Sequence, residues 1–213
     1  HITDGQLQWA RMDPIYDRIV FPKRTYDLIA PKEQFIENLS GYFPQEKDAI
    51  VRYVDVVGRV AQASRGFFAA KAFPGFLGSA AQATVARRFR SFSDITTEKV
   101  LAEITTDYRL RGLLCGQWGD YGLPPARSSF AMQALVTQHY LDGANYPMGG
   151  ARRIADTIVP VIKKGGGRVV VSTAVNEIML RNGKAAGVRL DNGDEISAQV
   201  VISSAGVMNT YGR

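Results

Sequence analysis

The chain has 213 residues, with 26 lysines and arginines against 20 aspartates and glutamates, so its formal net charge is +6. Apolar residues make up 46% of it, which is enough for a packed core and excludes a disordered or fibrous protein. No run reaches the roughly 20 apolar residues of a membrane-spanning helix. Cys115 is the only cysteine, which excludes an internal disulfide. With His1 and His139 it makes too small a set for a zinc cage, so we expect no metal site.

The first 72 residues predict short strands followed by helices. Residues 6–30 mix β-forming side chains with Pro14 and Pro22, a pattern typical of short strands separated by turns. A short helix should follow from Pro31, and a longer one should open at Pro44. The apolar face predicted for the longer helix consists of Ile50, Val54, Val57, Ala61, Ser64 and Phe68.

An aromatic cluster and a basic run come next. The cluster around Pro74 contains Phe67, Phe68, Phe73, Phe76 and Leu77. It fits either core packing at a corner between two helices or the apolar mouth of a ligand tunnel. The basic run Arg87, Arg88 and Arg90 is typical of a solvated helix face, because no base-stacking aromatics are interleaved with it.

Two more helices are predicted before the character of the sequence changes. Thr97–Cys115 reads as a helix broken near Thr105, and Cys115 as a small buried hydrophobe. Residues 128–141 are predicted to form the second helix, with Ser128 or Ser129 as its N-cap. Its predicted helical stripe is Met132, Val136, His139 and Tyr140, with His139 as a packed histidine.

From Gly143 onward, glycines alternate with β-forming runs. Gly149 and Gly150 should open an amphipathic helix that ends at the triglycine 165–167. Strands are predicted at 168–172, 175–181, 185–190 and 200–202, with a two-residue hairpin turn at 182–183. The run 200–202 has no polar residue, which predicts a strand buried on both faces.

Motif spacing alone predicts an α+β domain and indicates no specific function. The triglycine precedes a strand and not a helix, so it is a helix terminator and not a phosphate loop. The sequence contains no dinucleotide fingerprint, P-loop, nucleophile elbow or zincin pair. No side chain stands out as a general acid or base, so we assign no catalytic residue.

Six segments in a fixed order carry a resemblance to a known family. They are 143–150 (GANYPMGG), 168–171 (RVVV), 174–178 (AVNEI), 186–190 (AGVRL), 192–196 (NGDEI) and 201–206 (VISSAG). This series resembles the later half of the FAD-dependent phytoene desaturases, carotenoid isomerases and retinol saturases, a branch of the amine-oxidase superfamily. The match is specific from about residue 118 to 211 and diffuse before that.

The resemblance implies an α+β fold in two parts. Residues 1–142 would be mainly a helical, substrate-covering domain with short N-terminal strands. Residues 143–213 would be a β-rich part that completes an FAD-binding domain. Val175 would present its backbone to the adenine, Ser204, Ala205 and Gly206 would lie near the dinucleotide, and Gly149 and Gly150 would pass close to the flavin or the substrate. Adjacent glycines suit that place, since backbone without a Cβ can approach a planar cofactor.

The substrate implied by the family is an apolar polyene or isoprenoid, whose carbon–carbon bonds are desaturated, saturated or isomerised. We expect aromatic side chains to line its cavity: Tyr146, Trp118, Tyr121, Tyr140, Phe73 and Phe76. The alternative is a non-catalytic module that binds a lipid-like ligand in an aromatic pocket.

The chain starts without Met and ends just after an apolar run, so we expect an internal segment of a longer protein. It lacks the family's N-terminal FAD fingerprint and C-terminal FAD-contacting segment. We therefore expect FAD in the parent protein, no flavin bound by this segment, and an inactive segment. The partners expected are the apolar substrate, no nucleic acid, and further copies joined through exposed strand edges. The pI near 9.5 suggests an anionic membrane surface as a peripheral partner of an otherwise cytoplasmic protein.

Overall fold

A computed structural model describes residues 2–72 and 79–212. The chain divides into two compact units, one formed by residues 8–151 and the other by residues 1–7 with 152–213. We call them the helical unit and the hairpin unit. No helix among the described residues is long and apolar enough to cross a membrane.

The helical unit begins with three short strands: β1 (Trp9–Arg11), β2 (Ile15–Phe21) and β3 (Arg24–Ile29). β2 and β3 form an antiparallel hairpin, and β1 pairs with β4 (Asn145–Pro147) from the far end of the unit. The strands expected in residues 6–30 are therefore present. Helix α1 (Lys32–Tyr42) and a 3₁₀ turn at Pro44–Glu46 lead into α2 (Lys47–Ala72), which starts three residues later than the sequence predicts.

Four helices complete this unit: α3 (Ser79–Ser93), α4 (Thr97–Ile104), α5 (Tyr108–Leu114) and α6 (Phe130–Leu141). The predicted break near Thr105 is the gap between α4 and α5, where Asp107 caps α5 by accepting from the Arg109 and Leu110 amides. Helix α2 packs against α1, α3, α4 and α6. The core lies along it, and Ile50, Val57 and Val60 are fully buried.

Two predicted apolar stripes need correction. Ile50, Val54, Val57, Ala61 and Ser64 are buried as expected, but Phe68 is 54% exposed because α2 extends past the core at that point. In α6 the buried face is not the predicted one, since Met132 is 48% exposed and His139, predicted as a packed histidine, is exposed as well. The face that packs inward carries Phe130, Ala134 and Leu141 together with two polar residues, Gln133 and Thr137.

The hairpin unit contains α7 (Arg152–Lys164), a three-stranded antiparallel sheet, and the short α8 (Val207–Tyr211). The sheet order is β5 (Val175–Arg181), β6 (Lys184–Leu190), β7 (Glu195–Ser197). The predicted turn at 182–183 is confirmed, with φ of +53° at Asn182 and +73° at Gly183. Gly187 in β6 has φ of +149°, and a Cβ there would collide with the Ile196 backbone, so only glycine fits.

Two predicted strands are not formed. Residues 168–172 have no strand, and Val169, Val170 and Val171 are 45%, 62% and 77% exposed. Residues 200–202 also lack strand structure, and Ile202 is 93% exposed where burial on both faces was predicted. A strand needs a hydrogen-bonded neighbour, and among the described residues neither segment has one. High β-propensity was therefore not sufficient at these two places.

Candidate functional site

Gly149 and Gly150 form an open turn at the end of the helical unit. Their φ angles are +85° and +91°, values that L side chains rarely adopt. The Gly150 amide donates to the Pro147 carbonyl oxygen at 2.9 Å, which closes the turn behind β4. A Cβ built on Gly150 meets nothing within 4 Å, so the space beside the backbone is free. This geometry leaves room for a flat group to approach the turn.

Val175 lies at the free edge of the hairpin unit's sheet. The Asp191 amide donates to the Ala174 carbonyl at 3.0 Å, so the polar groups of Ala174 face β6. Because successive residues of an extended strand point their amide and carbonyl to opposite sides, those of Val175 point away from β6. β5 has no other neighbour among the described strands. The Val175 backbone can thus donate to and accept from a ligand without breaking the sheet.

Ser204, Ala205 and Gly206 form an exposed loop before α8. The Ala205 amide donates to Ser203 Oγ at 3.3 Å, and Ser203 in turn contacts Thr210 Oγ1 at 2.8 Å. Gly206 has φ of +87°, with open space where a Cβ would stand. Val175 and these three loop residues are all exposed, and the Ala205 and Gly206 carbonyls accept from Asn209 Nδ2 and Thr210 Oγ1. Gly149 and Gly150 belong to the other unit.

Three of the predicted substrate aromatics lie at one corner of the helical unit. A 3₁₀ turn at Trp118–Asp120 precedes Tyr121, whose hydroxyl donates to Gln133 Oε1 at 2.5 Å. The Tyr140 hydroxyl donates to Asp120 Oδ2 at 3.2 Å, which links α6 to the same turn. Trp118 is 45% exposed beside them. The corner therefore offers a half-exposed aromatic surface held by two side-chain hydrogen bonds.

The other predicted aromatics do not join this corner by any described contact. Tyr146 lies in β4 opposite Ala10 of β1 and is 53% exposed. Phe73 and Phe76 lie outside the described residues. An open groove of about 770 Å³ does occur in the helical unit, between α2, α3 and α4. Its apolar floor consists of Val56, Phe92, Ile95, Val100, Ile104 and Phe130, so none of the predicted substrate residues lines it.

A buried polar network, which was not predicted from the sequence, underlies the aromatic corner. Gln133 Nε2 donates to the Leu114 carbonyl at 2.8 Å and to Tyr53 Oη at 3.1 Å, while its Oε1 accepts from Tyr121. Tyr53 Oη lies 2.9 Å from Thr137 Oγ1. Gln133 is fully buried and Tyr53 nearly so. The signal available in the sequence was the polar pair Gln133 and Thr137 at i, i+4 in an apolar helix, a spacing that puts both on one face.

Burial sets the protonation state of these phenols. It raises the pKa of Tyr53 from 10.0 to about 12, and it also raises the pKa values of Tyr121 and Tyr140. All three therefore keep their protons at neutral pH and act as hydrogen-bond donors, not as bases. Burial likewise raises the pKa of the Cys115 thiol, which agrees with its prediction as a small hydrophobe. The described residues contain no cluster of His, Cys, Asp and Glu able to hold a metal ion.

Sequence comparisons relate the chain to known proteins. No protein-family model matches it. It is 36% identical over 222 aligned residues to the all-trans-retinol 13,14-reductase of Danio rerio, which covers 99% of this chain and 37% of the relative. The phytoene desaturase (neurosporene-forming) of Rhodobacter capsulatus is 46% identical over 85 residues, which is 39% of this chain and 16% of that protein. The prolycopene isomerase of Daucus carota is 40% identical over 83 residues, 39% of this chain and 13% of that protein.

The chain is thus homologous to the phytoene desaturase, carotenoid isomerase and retinol saturase-like oxidoreductases, as the six segments indicate. The similarity to the all-trans-retinol 13,14-reductase extends over nearly the whole chain. The chain spans about 37% of that relative's length. A crystal structure of an oxidoreductase from Methanosarcina mazei aligns with a TM-score of 0.45 and 23% identity, covering 63% of this chain and 33% of that one.

Proposed function

We propose that this chain is part of an FAD-dependent oxidoreductase that acts on carbon–carbon bonds of an apolar polyene or isoprenoid. The observation that carries the proposal is the similarity over 99% of the chain to a protein named as an all-trans-retinol 13,14-reductase. The shorter similarities to a desaturase and an isomerase support the same substrate class and leave the direction of the reaction open.

The cofactor positions predicted from the family have a backbone geometry that suits a dinucleotide. Val175 has a free amide and carbonyl at a sheet edge, the pattern that can recognise a base edge. Gly150 has positive φ and open space beside it, which admits a ring system without a Cβ in the way. Ser204, Ala205 and Gly206 are exposed residues, and Gly206 has positive φ with open space where a Cβ would stand. We assign these residues, with Gly149, to FAD contact in the parent protein.

When bound, FAD supplies the hydride chemistry. The part that we assign to this chain is to hold an apolar substrate and exclude water from it. Trp118, Tyr121 and Tyr140 provide a half-exposed aromatic surface, and the hydrogen bonds to Gln133 and Asp120 fix the two phenols. Fixed aromatic faces orient a flat polyene at low entropic cost. Tyr146, Phe73 and Phe76 are further candidates for the same role.

We also propose that the chain by itself holds no flavin and is inactive. It covers 37% of the retinol reductase, and its sequence has no glycine-rich strand–turn–helix for a pyrophosphate. The boundary proposed between substrate-covering and FAD-binding parts is Gly143.

The test is flavin content and product formation by the full-length parent protein. We expect a flavin absorption band, about one FAD per chain after reconstitution, and a change in the number or the cis–trans geometry of the double bonds of a polyene such as retinol or phytoene. The 213-residue chain, purified in parallel, should show no flavin band.

A folded full-length protein without flavin, even after FAD is added, would contradict the proposal. Tight binding of a polyene under those same conditions would instead support the non-catalytic lipid-binding module. Flavin absorbance distinguishes the oxidoreductase from the non-catalytic module, and polyene binding without flavin identifies the module, so a single preparation separates the two.

A further inference from the structure

A β-bulge in the hairpin of β2 and β3 turns Tyr16 into the interior. The register shifts between Ile15 and Asp17, so Tyr16 has no partner of its own on β3. Ile19 and Phe21 pack against the core, and strict alternation along β2 would point Tyr16 to the opposite side. Instead, the side chain of Tyr16 is only 9% exposed. Bulges redirect side chains in this way and are common beside active sites.

The hydroxyl of Tyr16 is buried and has no hydrogen-bond partner among the described residues. The hydroxyls of Ser40 and Ser129 share this condition, but a serine can rotate its short side chain toward a nearby backbone carbonyl. A phenol oxygen cannot do so, because it is fixed at the end of a packed ring. An unpaired buried hydroxyl costs stability, so its presence requires an explanation.

Tyr16 is in direct contact with the aromatic corner that we assign to the substrate. Its ring stacks on the ring of Tyr140, with the centroids 5.2 Å apart and the planes 10° from parallel. The Tyr140 hydroxyl in turn donates to Asp120, in the 3₁₀ turn that begins at Trp118. The unpaired hydroxyl therefore belongs to a side chain that supports this surface from within.

The Tyr16 hydroxyl can act only as a donor to an uncharged or anionic acceptor at neutral pH. Burial raises the pKa of this phenol well above its ordinary value of 10.0, and the nearby Tyr53, Asp17 and Tyr140 raise it further. The Asp17 carboxylate accepts from the Arg18 amide and forms no described bond with the phenol. The acceptor that would satisfy Tyr16 is thus not supplied by the described residues.

We propose that Tyr16 determines substrate specificity by donating its hydroxyl proton in a hydrogen bond to the terminal oxygen of an oxygenated polyene, an alcohol or an aldehyde. The proposal rests on the function proposed above for this chain. The polyene chain lies against the aromatic corner, and its polar end reaches Tyr16. A hydrocarbon polyene has no acceptor and leaves the hydroxyl unpaired, so it gains nothing from Tyr16.

Tyr140 controls access to this hydroxyl. The oxygen of Tyr16 is covered in the free protein, whereas Tyr140 is half-buried and reaches the surface. Besides its stacking on Tyr16, Tyr140 is held by one exposed hydrogen bond of 3.2 Å to Asp120 and by an edge contact with His139. Rotation of this ring breaks only that hydrogen bond, and the end of the ligand can then enter beside Tyr16.

Binding of two polyenes that differ by one oxygen tests the proposal. Retinol has a terminal hydroxyl, and deoxyretinol is the same polyene without it. Quenching of protein fluorescence during titration of the full-length parent protein gives a dissociation constant for each. Tyr16→Phe should weaken the binding of retinol about tenfold, which corresponds to the loss of one hydrogen bond in a dry site. The dissociation constant of deoxyretinol should change by less than about twofold.

Urea unfolding of the free protein separates ligand recognition from a structural role. Because the Tyr16 hydroxyl is unpaired, Tyr16→Phe should leave the unfolding midpoint unchanged or raise it. Tyr53→Phe should lower the midpoint, since the Tyr53 hydroxyl bonds Gln133 and Thr137. Tyr108→Phe, at a position 75% exposed, is the control and should change neither the midpoint nor either dissociation constant.

Three results would overturn the proposal. One is an equal loss of affinity for both polyenes in Tyr16→Phe, which would indicate a packing role. Another is unchanged retinol binding in that variant, which would leave an ordered water as the partner of the hydroxyl. The last is a folded parent protein that binds neither polyene. Flavin content distinguishes these failures from failure of the proposed function, because a parent protein that holds FAD keeps the oxidoreductase assignment whichever of them occurs.

Discussion

The helical unit and the hairpin unit differ most in what they bury. Every buried apolar side chain of the described residues, from Tyr16 to Leu141, belongs to the helical unit. In the hairpin unit only Thr157 and Gly187 are buried, while Val171, Ile202 and Met208 are more than three-quarters exposed. The hairpin unit contains many apolar residues, but among the described residues it forms no buried apolar core. Apolar side chains exposed to this extent are typical of an interaction surface.

The difference in burial between the two units is tested most strongly by two substitutions that each shorten an isoleucine side chain. Ile50→Ala in the fully buried core should lower the free energy of unfolding by about 2–5 kcal/mol, because burial is lost and a cavity remains. Ile202→Ala, at a position 93% exposed, should change it by less than about 0.5 kcal/mol. Urea unfolding measures both. Similar losses at the two positions would show that the hairpin unit has a core after all.

Alkaline pH should act through the buried phenols of the helical unit. The folded pKa of Tyr53 is raised from 10.0 to about 12, so the unfolded state loses its proton first as pH rises. Stability is then complete below about pH 10 and falls between pH 10 and 12, by about 3 kcal/mol for this group. Burial raises the pKa of Tyr16 in the same direction.

Unfolding free energies measured from pH 8 to 11.5 check this. Tyr53→Phe with Tyr16→Phe should flatten the decline, and Tyr108→Phe, at a position 75% exposed, should not. An identical decline in the double variant and the Tyr108 control would exclude the buried phenols as its cause.

The buried network should contribute a smaller, local amount. Gln133→Met keeps most of the side-chain volume but removes the 2.8 Å donor to the Leu114 carbonyl and the Oε1 acceptor of the Tyr121 hydroxyl. We expect a loss of about 1–3 kcal/mol, measured by urea unfolding. Gln138→Met on the same helix, at a half-buried position without a described hydrogen bond, is the control and should stay within about 0.5 kcal/mol. A neutral Gln133 variant would show that the network is not needed for stability.

Charges placed at the exposed positions Val170 and Ile202 should affect the stability of the fold least. They should nevertheless reduce self-association of the chain. The free edge of β5 and the uncovered residues Val170 and Ile202 should pair copies of the chain at high concentration. Val170→Lys/Ile202→Lys should leave unfolding unchanged and lower the mean mass seen by light scattering. A wild-type chain that stays monomeric at high concentration would contradict this.

The sequence predicted local structure well where a local cause was sufficient. The break between α4 and α5 follows from Asp107, and the turn at Asn182 and Gly183 follows from residues that accept positive φ. It failed where the cause is distant in the chain. Val169 to Val171 and Val200 to Ile202 have strand propensity but no described neighbour to pair with, and the inward turn of Gln133 depends on partners from α2 and α5.

The same distinction between local causes and causes distant in the chain applies to the candidate site. Motif order identified the family, while the contact of Val175 with FAD stays a prediction. No pattern in the sequence could show that Tyr121 and Tyr140 are held by Gln133 and Asp120, because these bonds depend on tertiary packing.

The central claim, that this chain supplies backbone contacts to FAD in an oxidoreductase, is tested most directly at Val175. Val175→Pro removes an amide that points away from β6, so the sheet should survive, as it should in Val175→Ala, which keeps the amide. Flavin per chain is measured by absorbance in the full-length parent protein. We predict normal flavin content with alanine and a strong loss with proline. Full flavin content in a folded proline variant would contradict the claim.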